Sequence, residues 1–162
     1  MTQLRPINIC EDDLVSARKG EKYEKILITG TVMTADGNSV KIYEDLVNIC
    51  KKVSDNIYSP LDTMQFKGND TERYNRAMEL LKETDIIVAE MSVPSTGQGM
   101  ELQEAVRLDI SIIVIAKSGS KVSGLIKGSG KVKSILYYNN IEDIEKELIK
   151  QIEEENNERT NC

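Results

Sequence analysis

The chain has 162 residues, of which 40% are hydrophobic and 30% are charged, and its net charge at pH 7 is -6. This length fits one domain, and the acidic balance argues against a nucleic acid or an anionic membrane surface as the main partner. Because the sequence contains no histidine, Ser-His and Cys-His dyads and histidine-ligated metal sites are excluded.

The three cysteines, Cys10, Cys50 and Cys162, lie far apart and form no CxxC pair. Neither a zinc site nor a disulfide framework is therefore expected. No apolar run approaches the 18 residues of a membrane span, and the N-terminus lacks the apolar region of a signal peptide. A cytoplasmic location is the resulting expectation.

The first part of the chain predicts an arm, a strand and a helix. Residues 1–24 are polar and aperiodic, so we expect a loosely ordered arm with a short helix near residues 12–18. The apolar run at 26–31 ends in a Gly-Thr pair and is typical of a buried strand followed by a turn. Residues 36–38 signal a second turn, and helical spacing of apolar residues predicts a helix over 39–53.

The next segment predicts a short strand, a loop and a helix. Residues 56–59 form a weak second strand that Pro60 closes. The segment 60–70 is too polar and turn-rich for a regular element, and its length suits a functional loop over the sheet. A helix is predicted over 71–83, with Asp70 or Thr71 as its N-cap. Its predicted buried face consists of Tyr74, Met78 and Leu81.

The second half of the chain alternates three apolar runs with three helical segments. The predicted strands are residues 86–89, 111–116 and 132–138. The predicted helical segments are a helix from about 100 to 108, a single turn at 122–126, and an amphipathic helix at 141–154. The last residues, 157–162, are expected to be disordered.

This alternation predicts one α/β domain over residues 25–156, an open, doubly wound parallel sheet of five strands. In such sheets ligands lie at the carboxyl ends of the strands, near the point where the strand order reverses. Four predicted loops meet at that edge: residues 30–36, 60–69, 92–99 and 117–123. The candidate site residues therefore converge on one edge of the sheet.

Two hydroxyl-rich loops at this edge suit an anion. Ser95 precedes Gly97 and Gly99 at the start of a helix, where its hydroxyl can donate to a phosphate or simply cap the helix. A second loop carries Ser118, Ser120, Lys121 and Ser123, and it can also be read as a solvated connection. Neither a Walker loop nor a GxGxxG fingerprint is present, so triphosphate hydrolysis and NAD chemistry lose support.

Without histidine, acid and base chemistry depends on carboxylates. Glu101 lies in the first turn of the helix after the glycine-containing loop, where an acid can merely complement the helix dipole. A carboxylate in a partly dry pocket can also attack an anomeric carbon, as in retaining glycosidases. Other acids are predicted near the same edge: Asp36, Asp62, Asp70 and Glu72.

The stretch 85–105, DIIVAEMSVPSTGQGMELQEA, resembles the signature of the nucleoside 2-deoxyribosyltransferase superfamily. The resemblance covers about residues 25–150 and includes the strand with Gly30-Thr31, the loop LDTMQFKG and the helix YNRAMELL. It implies a flavodoxin-like, Rossmann-like fold with helices on both faces, usually dimeric. It also implies cleavage of an N-glycosidic bond by a glutamate nucleophile, without metal or organic cofactor. Glu101 matches that nucleophile in the pattern GxGxEL.

The residue at position 95 distinguishes two branches of this superfamily. Transferases that act on unphosphorylated nucleosides have an aspartate there, whereas 2′-deoxynucleoside 5′-monophosphate N-hydrolases have a serine, as Ser95 here. An aspartate would repel a phosphate, and a hydroxyl can donate to it. The resemblance therefore implies the N-hydrolase branch, with a transferase as the alternative. Gly30 and Thr31 match the sugar-phosphate loop, Gln65 matches a base-contacting glutamine, and Ser123 matches a serine that reaches the phosphate of the neighbouring subunit.

Two positions depart from the superfamily pattern. Ala77 stands where the superfamily has an aspartate that serves the leaving base, and Leu27 stands where it has a tyrosine that hydrogen-bonds the nucleophile. Ala77 can be an engineered substitution, a natural one, or the sign of a module that binds nucleotides without cleaving them. For a natural substitution, the residues considered for the missing role are Asp62, Asp70, Glu72, Asn75 and Arg76.

Overall fold

The computed structural model describes residues 25–32 and 38–161. The strands are β1 (Ile26–Thr29), β2 (Ile57–Tyr58), β3 (Ile86–Glu90), β4 (Ser111–Lys117) and β5 (Val132–Tyr138). The α-helices are α1 (Asn38–Cys50), α2 (Pro60–Gln65), α3 (Asp70–Glu83), α4 (Thr96–Arg107), α5 (Gly124–Lys127) and α6 (Glu145–Thr160), and a 3₁₀ turn (Ile141–Ile144) precedes α6. The predicted arm, Asp36, Cys10 and Cys162 lie outside the described residues.

The five strands form one parallel sheet in the order β2-β1-β3-β4-β5. This is the flavodoxin-like arrangement, so the predicted fold class is confirmed. The chain moves outward from β1 to β2 and then returns to place β3 on the other side of β1. The strand order therefore reverses between β1 and β3, and the crevice at their carboxyl ends is the favoured ligand position.

Two hydrophobic clusters cover the two faces of the sheet. Alternate strand residues enter different clusters, with Ile26 and Ile28 on one face and Leu27 on the other, as the two-residue period of a strand requires. Helices α1 and α6 contribute to the first cluster, and α3 and α4 contribute to the second. The sheet is thus covered on both sides, which explains the uninterrupted apolar sequence of β4.

Helix α2 corrects the prediction that residues 60–70 contain no regular element. Ser59 is its N-cap: the Ser59 side chain accepts from the backbone N–H of Leu61, and the Asp62 carboxylate accepts from the N–H of Ser59 at 2.8 Å. Pro60 stands at the first helical position, where its missing N–H costs nothing. The Ser-x-x-Asp spacing was the available signal for this helix.

The start of α3 and the burial of one of its residues also differ from the prediction. Asn69, rather than Asp70 or Thr71, caps α3 and accepts from the N–H of Glu72 at 2.9 Å. Tyr74, predicted to be buried, is 51% exposed.

Helix α6 runs to Thr160, so it includes most of the segment that was expected to be disordered. Near its end, Arg159 pairs with Asp85 at 2.6 Å, and both side chains are largely buried. This contact between distant parts of the chain holds the last turn in place. Because it joins residues that are far apart in sequence, the local composition gave no sign of it.

Within residues 25–32 and 38–161, no helix is long and apolar enough to cross a bilayer, and no cluster of three potential metal ligands occurs.

Gly30 follows β1 at a point where there is no room for a side chain. A Cβ atom there would lie 2.1 Å from the hydroxyl of Tyr43 and 3.1 Å from the carbonyl oxygen of Glu90. Tyr43 is buried, and its hydroxyl donates to the carbonyl of Thr31 at 3.0 Å, so it has little freedom to move. The glycine therefore permits β1 to end directly against β3 and α1.

We expect Gly30→Ala to lower the free energy of unfolding by about 1–3 kcal/mol because of this overlap. Gly99→Ala is the control, since a Cβ at this position of α4 meets nothing within 4 Å. It should be neutral or stabilise the protein by up to about 1 kcal/mol through helix propensity. Urea denaturation of both variants makes the comparison, and equal stabilities would contradict the packing argument.

Candidate active site

The crevice between β1 and β3 is bridged by Gln98, a residue that the sequence analysis did not single out. Its side-chain amide donates to the carbonyl of Thr29 at 3.1 Å and to the carbonyl of Glu90 at 2.8 Å. Gln98 is 4% exposed, so both bonds lie away from water. The first turn of α4 is thereby tied to the ends of both strands at the point where the strand order reverses. The only sequence signal was a polar residue placed between two glycines.

Glu101 lies three residues further along α4 and faces the end of β1. The hydroxyl of Thr29 donates to one oxygen of its carboxylate. Burial raises the pKa of Glu101 above the ordinary carboxyl value, and the hydrogen bond from Thr29 opposes this rise only in part. The result is a carboxylate with a fixed position and reduced hydration, which are the properties that favour nucleophilic attack.

Glu101 lines a cavity of about 150 Å³ at the carboxyl edge of the sheet. The other lining residues come from β1 and the segment after it, from β2 and α2, and from α3. They are Leu27, Ile28, Thr29, Gly30, Val32, Tyr58, Ser59, Pro60, Thr63, Phe66, Arg73, Arg76, Ala77 and Leu80. The structure thus brings together five of the positions singled out in the sequence: Glu101, Gly30, Leu27, Ala77 and Arg76.

Several other candidate residues do not line this cavity. The carboxylates of Asp62 and Glu72 accept from the backbone N–H groups at the starts of α2 and α3, and Asp70 is exposed. Gln65 is also exposed. Among the described residues that line the cavity, Glu101 is therefore the only carboxylic acid.

A second cavity, of about 390 Å³, lies on another side of α4. Ser95, Gly99 and Ser123 line it together, and so does Lys121. Ser95 is also the N-cap of α4, because its hydroxyl oxygen accepts from the N–H of Gln98 at 3.3 Å. A hydroxyl that accepts one bond still has its proton to donate, so the capping role leaves Ser95 able to bind an anion.

Two further candidates lie outside both cavities. Gly97 is exposed in the first turn of α4. Thr31 is partly buried, and its hydroxyl has no hydrogen-bond partner among the described residues.

Glu90 is a second buried acid that the sequence analysis did not identify. It is 5% exposed, and one of its carboxylate oxygens accepts from the backbone N–H of Ser92 and the hydroxyl of Tyr138, each at 3.1 Å, and from the hydroxyl of Ser92. The hydroxyl of Ser92 in turn accepts from the N–H of Lys117 at 2.7 Å. These bonds join the ends of β3, β4 and β5, so the geometry gives Glu90 a structural role.

Curated relatives share sequence with this chain. A Methanosarcina barkeri protein that carries the provisional name 2′-deoxynucleoside 5′-phosphate N-hydrolase 1 is 32% identical over 69 residues, which are 43% of each chain. The zebrafish (Danio rerio) 5-hydroxymethyl-dUMP N-hydrolase is 34% identical over 74 residues, 42% of this chain and 52% of that protein. This chain resembles the 2′-deoxynucleoside 5′-phosphate N-hydrolases. The aligned region spans about half the length of the curated relatives, and no family model matches the chain.

Solved structures share the fold. The Clostridium botulinum CMP N-glycosidase superposes with a TM-score of 0.58 and 18% identity, over 78% of this chain and 99% of that one. A 2-deoxyribosyltransferase from Bacillus psychrosaccharolyticus gives a TM-score of 0.58 and 17% identity, over 75% and 90%. At these identities the likeness concerns the fold alone. The curated relatives confirm the resemblance to the N-hydrolase branch, and the solved structures confirm the fold that the resemblance to the nucleoside 2-deoxyribosyltransferase superfamily implied.

Proposed function

We propose that this protein hydrolyses the N-glycosidic bond of (2′-deoxy)nucleoside 5′-monophosphates and releases the free base and (deoxy)ribose 5-phosphate. The observation that carries the proposal is Glu101, a partly buried carboxylate held by Thr29 in a cavity at the carboxyl edge of the sheet. The names of the relatives, which describe N-hydrolases of nucleotides, support the same chemistry.

In the proposed reaction Glu101 attacks C1′ of the sugar, and the bond from C1′ to the base breaks. The hydrogen bond from Thr29 holds the attacking carboxylate in one orientation, which lowers the entropic cost of reaching the transition state. A water molecule then hydrolyses the glycosyl ester and restores Glu101. Every group in this sequence belongs to the chain, the substrate or water, so no metal or organic cofactor is required.

We propose that the phosphate binds at the start of α4. Ser95 and Glu101 are six residues apart on this helix, which corresponds to about 9 Å along its axis. The Ser95 hydroxyl and the N–H of Gly97 suit an anion at the positive end of the helix. The N–H groups of Gln98 and Gly99 already donate to Ser95, so Gly99 is proposed to contribute only open space beside the anion. Ser123 lines the same cavity as Ser95 within one chain. Its proposed contact with the phosphate of a neighbouring subunit requires a homodimer, which stays a prediction.

Gly30, Thr31 and Gln65 are also proposed to contact the substrate. Gly30 and Thr31 are proposed to border the sugar phosphate, because they follow β1 directly after Thr29. Gln65 is proposed to contact the base. It is exposed at the end of α2, so this contact requires α2 to approach the ligand.

A second candidate function is a module that binds nucleotides without cleaving them. It is favoured by Leu27 and Ala77, which line the cavity of Glu101 and supply no polar group to it. Without a group to serve the leaving base, cleavage would be slowed by about a hundred- to ten-thousandfold.

The test is base release, measured by chromatography, from a panel of nucleosides and their 5′-monophosphates. Hydrolysis gives free base and sugar 5-phosphate whether or not a second base is added, whereas a transferase glycosylates the added base. Absence of any release, combined with a higher melting temperature in the presence of monophosphates, would reject the enzyme and support the binding module.

Ser95→Asp is expected to lower kcat/KM for monophosphates by about ten- to a hundredfold, because a donor to the phosphate is replaced by a negative charge. Aspartate is as good an N-cap as serine, so the free energy of unfolding should stay nearly unchanged. Ser95→Asn, which caps the helix without a charge, is the control. A loss equal to that of Ser95→Asp would show that charge repulsion is not the cause.

A further inference from the structure

One face of α3 places two arginines in the cavity of Glu101. Arg73, Arg76, Ala77 and Leu80 follow the i, i+3, i+4, i+7 spacing of a single helix face, and all four line this cavity. The guanidinium of Arg73 lies 5.9 Å from the centre of the Phe66 ring, within the range of a cation–π contact. The wall contributed by α2 and α3 is therefore apolar and aromatic, with positive charge at its edge.

The charges in this cavity are unusual for a chain with a net charge of -6. Glu101 is the only acid among the described lining residues, and it is the group that must be ionised to attack. Within residues 25–32 and 38–161, no second carboxylic acid lines the cavity to protonate the departing base. Apart from Glu101, the charged residues in the described part of the lining are Arg73 and Arg76. Glu83, on the same helix, interacts electrostatically with Arg76. The pKa of the Glu83 carboxyl is lowered mainly by its hydrogen bond with Lys25 and less by Arg76.

We propose that Arg76, with Arg73 beside it, receives the leaving nucleobase and stabilises the negative charge that develops on it. This inference rests on the proposed function. An in-line attack by Glu101 requires the base to leave on the far side of C1′, so the base must lie against the other walls of the cavity. A guanidinium offers only hydrogen-bond donors, so it selects a base with acceptor atoms close to the broken bond. A pyrimidine satisfies this requirement, because its 2-carbonyl oxygen is next to the glycosidic nitrogen and shares the negative charge.

The electrons and protons of the proposed reaction balance without a general acid. An oxygen of Glu101 forms a bond to C1′, and the electron pair of the glycosidic bond moves to the base. Arg76 donates hydrogen bonds but keeps its protons, because a guanidinium offers only donors and stays charged in proteins. Water then adds its hydroxyl group to C1′, and its proton neutralises the base anion. Glu101 returns to its carboxylate form.

The experiment compares Arg76→Gln, Arg76→Lys and Arg73→Gln with the parent chain on two substrates, the 5′-monophosphates of 2′-deoxyuridine and of 5-fluoro-2′-deoxyuridine. The control is Lys82→Gln, which removes a positive charge from the same helix outside the cavity. We expect Arg76→Gln to lower kcat on the uracil substrate by about ten- to a hundredfold. The loss should be smaller on the fluorinated substrate, whose base is the more stable anion. Arg76→Lys should recover part of the rate, and Lys82→Gln should match the parent.

A pH profile provides the second measurement. In the parent chain kcat should rise as Glu101 ionises and then stay level on the alkaline side, because the proposed step uses no general acid that must stay protonated. An alkaline decline would overturn the inference, and so would equal losses on both substrates or a change in KM alone. If the parent releases base and Arg76→Gln does so equally fast, this inference fails while the proposed function stands. If the parent releases no base from either substrate, the proposed function itself fails.

Discussion

Glu101→Gln is expected to reduce base release from nucleoside 5′-monophosphates by at least about a thousandfold, because an amide cannot form the glycosyl ester. Glutamine keeps the size of the side chain, and its carbonyl oxygen can still accept from the hydroxyl of Thr29. The loss would therefore reflect chemistry rather than packing. Chromatography of the released base measures it. Mass spectrometry of the quenched parent enzyme tests for the covalent intermediate.

Glu104→Gln is the matched control, since it makes the same change on α4 outside the cavity. Its rate should stay within about twofold of the parent, as expected for a surface change. If Glu101→Gln retains a tenth of the parent rate or more, Glu101 is not the nucleophile.

Glu101→Gln and Glu104→Gln are expected to change the free energy of unfolding in opposite directions. Below the ordinary carboxyl value of 4.5, Glu101 is protonated in both the folded and the unfolded chain. As the pH rises, the unfolded chain releases this proton first because burial raises the pKa in the folded state, and the parent loses stability. Glu101→Gln avoids this loss, so it should be more stable than the parent at neutral pH, and the difference should disappear below pH 4.5.

The control behaves differently because a hydrogen bond from Arg107 lowers the pKa of Glu104. Glu104→Gln should therefore be slightly less stable than the parent at neutral pH. Urea denaturation across the pH range measures both shifts. Equal shifts for the two variants would contradict the assignment of the raised pKa to burial at position 101.

Ala77→Asp is expected to increase base release by about a hundred- to ten-thousandfold. The change places a carboxylic acid on the wall of the cavity that contains Glu101. Burial and Glu101 raise the pKa of the new acid, whereas Arg73 and Arg76 lower it, and the fraction that stays protonated donates to the leaving base. Because this acid must keep its proton, the rate should decline on the alkaline side, unlike that of the parent.

Ala77→Asn is the control for Ala77→Asp, since it adds nearly the same volume but has no acidic proton. It should give little or no increase in rate. Equal gains for the two variants would show that shape, rather than acid catalysis, limits the parent. If neither variant nor the parent releases base while monophosphates still stabilise all three against heat, the protein binds nucleotides without cleaving them.

Much of the fold could be predicted because its signals are local. The apolar runs specify buried strands, and β5 begins and ends at the predicted residues. The alternation of these runs with helical patterns was sufficient to predict a doubly wound parallel sheet. Helix α2 was missed although its capping signal was present, because the polar composition of the segment outweighed the Ser59–Asp62 spacing.

The candidate site was predictable only in part. The glycine-containing turn and the acid after it made Glu101 a candidate, and the resemblance implied its role as nucleophile and drew attention to Ala77. The contact between Glu101 and Thr29 joins residues 72 positions apart, so no local pattern could indicate it. The bridge formed by Gln98 also depends on the spacing of two strands. The placement of Arg73 and Arg76 depends on how α3 packs beside α4.

The sequence by itself determined the five strands and the helices between them apart from α2, the glycine-containing turn before α4, the presence of Glu101 and the absence of histidine. Those features follow from local periodicity and composition. Only the tertiary structure decided that β1 and β3 are neighbours, and with them that Thr29, Glu101 and the arginines of α3 share one cavity. The physical reason is that hydration, charge and reach depend on distances in space, which are set by the packing of elements that are far apart along the chain.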